Sequence, residues 1–453
     1  MAKTLLKNIH TLATMNDQRD EITNAAIVIQ DNKIEYVGSA DDVAHIQADR
    51  VIDLSHHVVL PGLINTHHHM YQSLTRAVPK AQDAELFGWL KTLYPIWGRI
   101  TPPMLHASTQ TAMAELMLSG CTTTSDHLYL FPNGCTLDHT IEAAQEMGMR
   151  FHASRGAMSV GESKGGLPPD ALVEDENVIL HDMQRLVERY HDNSHGAMLR
   201  IVLAPCSPFS VSQDLMRESA ILARELGVSL HTHLAENQND IAYSRETFNR
   251  TPAEYVEELG WVGNDVWHAH CVHLDDAGID LFARTRTGVA HCPCSNMRLG
   301  SGIAPIRKMR DKHVPVGLGV DGSASNDGGS LINEARQAML LQRVASEDPR
   351  VFSAREALWV ATRGGAEVLN RNDIGQLSPG YAADLIAFDL NQLNFAGALH
   401  DPLAATLLCA SASVSHSMIN GKLVIEEGRF TQNDLSRIVQ VHNALSQELL
   451  AQA

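Results

Sequence analysis

Pro61-Gly62-Leu63-Ile64-Asn65-Thr66-His67-His68-His69-Met70-Tyr71-Gln72 is an apolar run that ends abruptly in three histidines. A β-strand sends alternate side chains to opposite faces, so His67 and His69 project together while His68 points away. Only that pair can share an ion, and the stretch then reads as a buried strand ending in a metal site. The competing reading is a histidine-rich surface turn, or a pair satisfied by neighbouring carboxylates. Further ligands at the ends of later strands decide between the two.

Downstream of this stretch, short apolar runs alternate with helical stretches of about ten to twenty residues, the texture of βα units on a parallel sheet. Eight strand candidates stand out, at residues 58–66, 122–126, 150–154, 199–204, 229–233, 266–270, 288–292 and 315–320. Helical stretches separate them, among them 104–118, 178–190 and 214–226. Eight such units favour a closed barrel over an open sheet, and barrel chemistry sits at the C-terminal ends of the strands. Residues 155–175 are too long and too broken by glycine and proline for a regular element; we read them as a lid or rim over the barrel mouth.

Both chain ends have a different texture. Short β-like runs at 4–9, 25–30 and 34–37 and, near the C-terminus, 384–389 and 414–426 with an Asn420-Gly421 hairpin signal suggest one small β-sandwich built from the two ends. The expected division is residues 1–58 and 373–453 for the sandwich, the latter with a C-terminal helix, and 59–372 for the barrel. At 453 residues the chain is long enough for both. A 44% hydrophobic and 19% charged composition is that of a globular protein with ample core.

A net charge of −18 argues against nucleic acid as an extended ligand, because phosphate binding needs a basic surface. Seven scattered cysteines suit a reducing compartment, and no run reaches signal-peptide or membrane-spanning length. A cytoplasmic protein without a membrane partner is expected.

The strand ends carry the chemistry. His231-Thr232-His233-Leu234-Ala235-Glu236 closes the fifth strand, His268-Ala269-His270-Cys271 the sixth and Asp321-Gly322-Ser323 the eighth. With His67 and His69 they bring three or four imidazoles and a carboxylate to one mouth, a donor set suited to Zn²⁺ or Fe²⁺ with an open position for water. Spacing alone does not rank His270 against His233 as ligand. Such an ion makes a nucleophile of its water at neutral pH, and a nearby carboxylate relays the proton.

These motifs, with Ala269-His270-Cys271-Val272-His273-Leu274, Gly319-Val320-Asp321-Gly322 and the segment from Ile374 to Leu385, are collinear and span almost the whole chain. They resemble the metal and catalytic motifs of the amidohydrolase superfamily, in its mononuclear deaminase and chlorohydrolase branch. The resemblance implies an α/β fold, a (β/α)8 barrel carrying a β-sandwich. It implies His67, His69, His233 and Asp321 as metal ligands, Glu236 as proton shuttle, His270 on the activated water and Asp321 as first proton acceptor. Binuclear members carry a lysine or carboxylate at the fourth strand end, whereas residues 199–209 here hold neither, so one divalent ion is expected, zinc first and iron as the alternative.

The resemblance extends to substrate. A glutamine follows the His-x-His motif in guanine deaminases, so Gln72 is expected to read a purine-like lactam edge. Residues 205–210 and 291–302 look like those of the group that deaminates 8-oxoguanine to urate and ammonia. Trp97, Arg155, Cys206 and Phe209 are candidate ring contacts. The alternatives are a guanine, pterin or isocytosine deaminase or an s-triazine hydrolase on the same metal site, and, from another class, a non-catalytic scaffold of the dihydropyrimidinase-like type. Those scaffolds lose ligands that this chain keeps. A small heterocycle as the sole substrate class, and a homo-oligomer, complete the expectations.

Overall fold

Gly62 divides the decisive stretch in two. A side chain there would place its Cβ 2.0 Å from Thr122 Oγ1, so the chain passes close to its neighbour only as glycine. The computed structural model describes residues 2–409 and 413–451. Before Gly62, His57–Pro61 pairs in parallel with Lys3–Ala13 and antiparallel with Leu385–Asp389, outside the barrel. After it, Leu63–Asn65 is the first barrel strand. The single strand expected over 58–66 is therefore two short strands in different sheets, separated at this glycine.

The barrel closes through Leu63–Asn65, Cys121–Leu128, Arg150–Ala157, Leu199–Pro205, Ser229–Leu234, Val266–His270, Gly288–His291 and Val316–Leu318, with Leu318 paired to Asn65. All these pairings are parallel. The connecting helices follow from local chemistry. Glu176–Tyr190 starts where the Asp175 carboxylate accepts the amides of Asn177 and Val178, and it buries Ile179, Met183, Leu186 and Val187, one face at helical spacing. Gln213–Leu226 begins at a Ser212 cap and ends at Gly227, whose φ of 68° is the left-handed geometry that glycine adopts freely.

Both chain ends feed one nine-stranded sheet. Its C-terminal hairpin, His416–Ile419 and Lys422–Glu426, turns at Asn420 and Gly421 with φ of 50° and 78°, the double positive φ of a type I′ turn. The C-terminal helix Leu435–Ala451 leaves this sheet and packs on helix Pro102–Leu118 and on the 3₁₀ helix Met70–Thr75. No helix among the described residues is long and apolar enough to cross a membrane.

Sheet and barrel are joined by a buried ion pair. Arg150, on the third barrel strand, donates two hydrogen bonds of 3.0 and 2.9 Å to Asp384, and two more to the carbonyls of Gly196 and Ala197. Both side chains are almost wholly buried. Arg150→Ala strands the Asp384 carboxylate in the interior, and a loss of about 3–5 kcal/mol is expected. Denaturant unfolding of the variant checks this.

Candidate metal centre and substrate pocket

Tautomers around the histidines follow from partners that can only accept. His231 Nδ1 lies 2.9 Å from the carbonyl of Trp267, so its proton sits on Nδ1. His231 Nε2 then accepts from His67 Nδ1–H at 2.8 Å. This leaves His67 Nε2 with a bare lone pair, buried and without a partner. His69 and His233 are fixed in the same way, their Nδ1–H groups donating at 2.7 Å to the carbonyls of His127 and Cys206. Their Nε2 lone pairs therefore face each other at 3.1 Å, an approach that is no hydrogen bond between neutral rings.

Asp321 completes the set. Its Oδ1 is 3.3 Å from His67 Nε2 and 3.4 Å from His69 Nε2. Its Oδ2 accepts from Ser295 and Ser325 at 2.5 and 3.1 Å. The backbone bends for this at φ of 60°, and the Asp321 amide donates to the carbonyl of His67. Burial above all pushes His67 well below the usual imidazole range, His69 below it and His233 down to about 3, so the rings are held neutral, the form that ligates. Among the described residues the close-set ligand atoms form two clusters that share His67, one of His67, His69, His127 and His233 and one of His67, His270 and Asp321, and lone pairs brought this close favour a cation among them. The donor set thus fits one divalent ion of the zinc class.

Beside it lie two further groups. His270, at φ of 71°, is held through Nδ1 by Asn296 Oδ1 at 3.0 Å. Its Nε2 faces Glu236 Oε2 at 3.6 Å and Asp321 Oδ2 at 3.9 Å. Burial first, then the carboxylates of Asp321 and Asp240, push Glu236 well above the usual carboxyl range. A carboxyl kept protonated beside a metal-binding cluster is equipped to hand a proton to a leaving group.

Above these groups a small cavity is lined by His69, Gln72, Cys206, Phe209, His233, Glu236, His270 and Asp321, with Trp89, Tyr94 and Tyr129 among the aromatic walls. Gln72, Cys206 and Phe209 thus reach the pocket. The Cys206 thiol is pushed up to about 12 by burial, and its carbonyl orients His233 at 2.7 Å while its sulfur lies 4.0 Å from the same Nδ1. Gln72 Oε1 is buried with no partner, and Gly322 makes room for it, since a Cβ there would lie 1.8 Å away.

Two expected contacts do not reach the pocket. Trp97 is fully buried beneath it, its Nε1 donating to Thr75 Oγ1 at 3.0 Å and its ring edge-on to Tyr71 and Trp89; Trp89, on the same helix Leu86–Trp97, lines the wall instead. Arg155 points outward because the third strand runs on to Ala157. Its guanidinium binds Asp182 and Glu174 and stacks 3.8 Å from the Phe131 ring. That pairing ties residues 155–175 back toward the helix layer. The stretch lines no part of the pocket, whose cover is the helix Leu86–Trp97 with Leu86, Trp89, Leu90 and Tyr94.

The sequence reading passed over His127. Its Nε2–H donates to the carbonyl of Ala204 at 2.7 Å, its ring stacks on His233 at 5.0 Å, and its carbonyl fixes His69. Three other histidines near the strand ends have partners of their own: His68 accepts the His69 amide, His268 stacks on Phe282, and His273 bonds the carbonyl of Ser301. Cys292 and Cys294 join neither cluster of close-set ligand atoms among the described residues.

A parallel eight-stranded barrel with imidazole and carboxylate donors at its strand ends defines a metal-dependent hydrolase. The chain belongs to the amidohydrolase family, whose profile matches residues 58–424. It is 44% identical, over 454 aligned residues and the full length of both chains, to 8-oxoguanine deaminase of Pseudomonas aeruginosa. It is 37% identical over 447 residues, 95% of this chain and 92% of the other, to hydroxydechloroatrazine ethylaminohydrolase of a Pseudomonas species. Among solved structures, the zinc complex of atrazine chlorohydrolase from Arthrobacter aurescens TC1 matches with a TM-score of 0.93 and 35% identity, covering 98% of this chain and 100% of that one.

Proposed function

We propose that this protein hydrolytically deaminates 8-oxoguanine to urate and ammonia. The observation that carries the reading is the Gln72 amide, with an unpartnered Oε1, in the same cavity as Glu236, His270 and the donor cluster. Full-length similarity to an 8-oxoguanine deaminase supports it.

His67, His69, His233 and Asp321 would hold one zinc ion, which supplies a water poised to react at neutral pH. The chain's own groups do the rest. Gln72 orients the ring by donating to a lactam carbonyl and accepting from the adjacent ring N–H. Trp89, Phe209 and the neighbouring apolar walls hold the ring plane and exclude bulk water. Asp321 Oδ2 takes a proton from the attacking water, whose oxygen adds to the amino-bearing ring carbon. Glu236 delivers a proton to the amino nitrogen as the C–N bond breaks and ammonia leaves. His270 Nε2, fixed by Asn296, lies beside both carboxylates and holds the water's orientation.

The seven free thiols suit a reducing, cytoplasmic setting, and a homo-oligomer is part of the proposal, checked by light scattering. The deciding test is ammonia release from a panel of 8-oxoguanine, guanine, isocytosine, a pterin and a chlorotriazine. Best turnover on 8-oxoguanine is expected; a preference for another ring on the same metal-loaded protein overturns the substrate. Gln72→Leu should raise KM about tenfold for lactam-bearing rings, the worth of one good hydrogen bond.

A further inference from the structure

The 3₁₀ helix Met70–Thr75 is six residues long, entirely buried, and joins His69 of the donor cluster to Gln72. Such helices hold their own ends poorly. At its start the Met70 amide is tied to Asp126 Oδ1 at 2.8 Å. At its end the carbonyls of Ser73 and Leu74 have a distant source of donors: His442 Nε2 at 3.0 Å and Ser446 Oγ at 2.7 Å, both on the C-terminal helix Leu435–Ala451. His442 and Leu449 are the buried side chains of that helix, whose other face is largely exposed. The helix otherwise packs chiefly on Pro102–Leu118, and its contact with the 3₁₀ helix links it to the pocket.

We infer that His442 is a positioning residue for substrate recognition: by capping Ser73 it fixes the backbone beside Gln72 and so sets where the glutamine amide meets the ring. Ser446 is the second half of the same clamp. Gly322 sits tightly against the Gln72 amide, so a small rotation of the 3₁₀ helix moves that amide into contact or out of reach. The donor cluster has its own ties: His67 through His231 and Trp267, His233 through the Cys206 carbonyl, and His69, which directly precedes the 3₁₀ helix, through the His127 carbonyl. The inference rests on the proposal that Gln72 reads the ring.

The test is a double-mutant cycle on the zinc-loaded, full-length protein, using whichever panel substrate turns over fastest. His442→Ala should raise KM about tenfold with kcat within about threefold and unchanged zinc content. His442→Gln, which can still donate to Ser73, should restore most of the loss, and Ser446→Ala should reproduce a smaller part of it if His442→Ala does not fold. In a Gln72→Leu background, His442→Ala should add nothing. Wild-type KM in both His442→Ala and Ser446→Ala overturns the clamp, as does equal loss in kcat or zinc, or full additivity with Gln72→Leu. A Gln72→Leu variant with unchanged KM overturns the ring-reading role itself, and with it any action of His442 through Gln72.

Discussion

Glu236→Gln is expected to keep fold and zinc while lowering kcat by roughly 10² to 10⁴, the usual worth of a general acid–base group. The substitution preserves volume and hydrogen-bonding reach but removes the transferable proton. Geometry makes the loss specific. Glu236 is buried against His270 at 3.6 Å and faces the cavity, while its backbone amide is held by Asp240 Oδ2 at 2.9 Å. The side chain therefore stays in place when its chemistry changes. Because burial, Asp321 and Asp240 already hold the Glu236 carboxyl in its neutral form, a neutral amide in its place should leave the variant no less stable than the parent. Steady-state kinetics, zinc analysis and a melting curve on one preparation check all three statements. Turnover near that of the parent would remove Glu236 from the proton path.

How far the sequence carried is best seen in parity. His67 and His69 were legible because strand alternation is a local rule, and Gly62 does not disturb it. The same rule fails where a strand end is misplaced. The second strand was expected to stop at Asp126 but runs to Leu128, which turns Ser125 and His127 into the barrel and leaves Asp126 to bind the Met70 amide. The third was expected to stop at Ser154 but runs to Ala157; Ser154 meets Ser125, and Arg155 pairs with Asp182 in the helix layer and does not line the pocket. On the helix Leu86–Trp97, Trp89 and Trp97 are eight residues apart and so about 80° apart around the axis. Which of them faces the cavity depends on how that helix docks, a tertiary fact that composition and spacing do not contain. The clamp from His442 and Ser446 was invisible for the same reason: its two hydrogen bonds link positions 369 and 372 residues apart.

Chelation of the metal is expected to abolish turnover and to lower the melting temperature, with both restored by stoichiometric zinc. The stability effect follows from the lone pairs. The Nε2 atoms of His69 and His233 lie 3.1 Å apart and the Asp321 carboxylate faces His67 and His69, so removing a bound cation would leave these lone pairs to repel. Binding to the folded state alone stabilises it by about 2.7 kcal/mol when free zinc is a hundredfold above its Kd. His67→Ala should mimic chelation and not respond to added zinc, because it deletes the most deeply buried donor and leaves His231 Nε2 without its partner. His231→Ala distinguishes ligation from orientation. It removes no ligand, but frees His67 Nδ1–H from the acceptor that fixes its tautomer, so zinc affinity should fall by roughly 10- to 100-fold, with activity recovered at excess metal. Zinc titrations of apoprotein followed by melting temperature separate the three cases without reference to any substrate. If His231→Ala bound zinc as tightly as the parent, the chain from Trp267 through His231 to His67 would be packing alone.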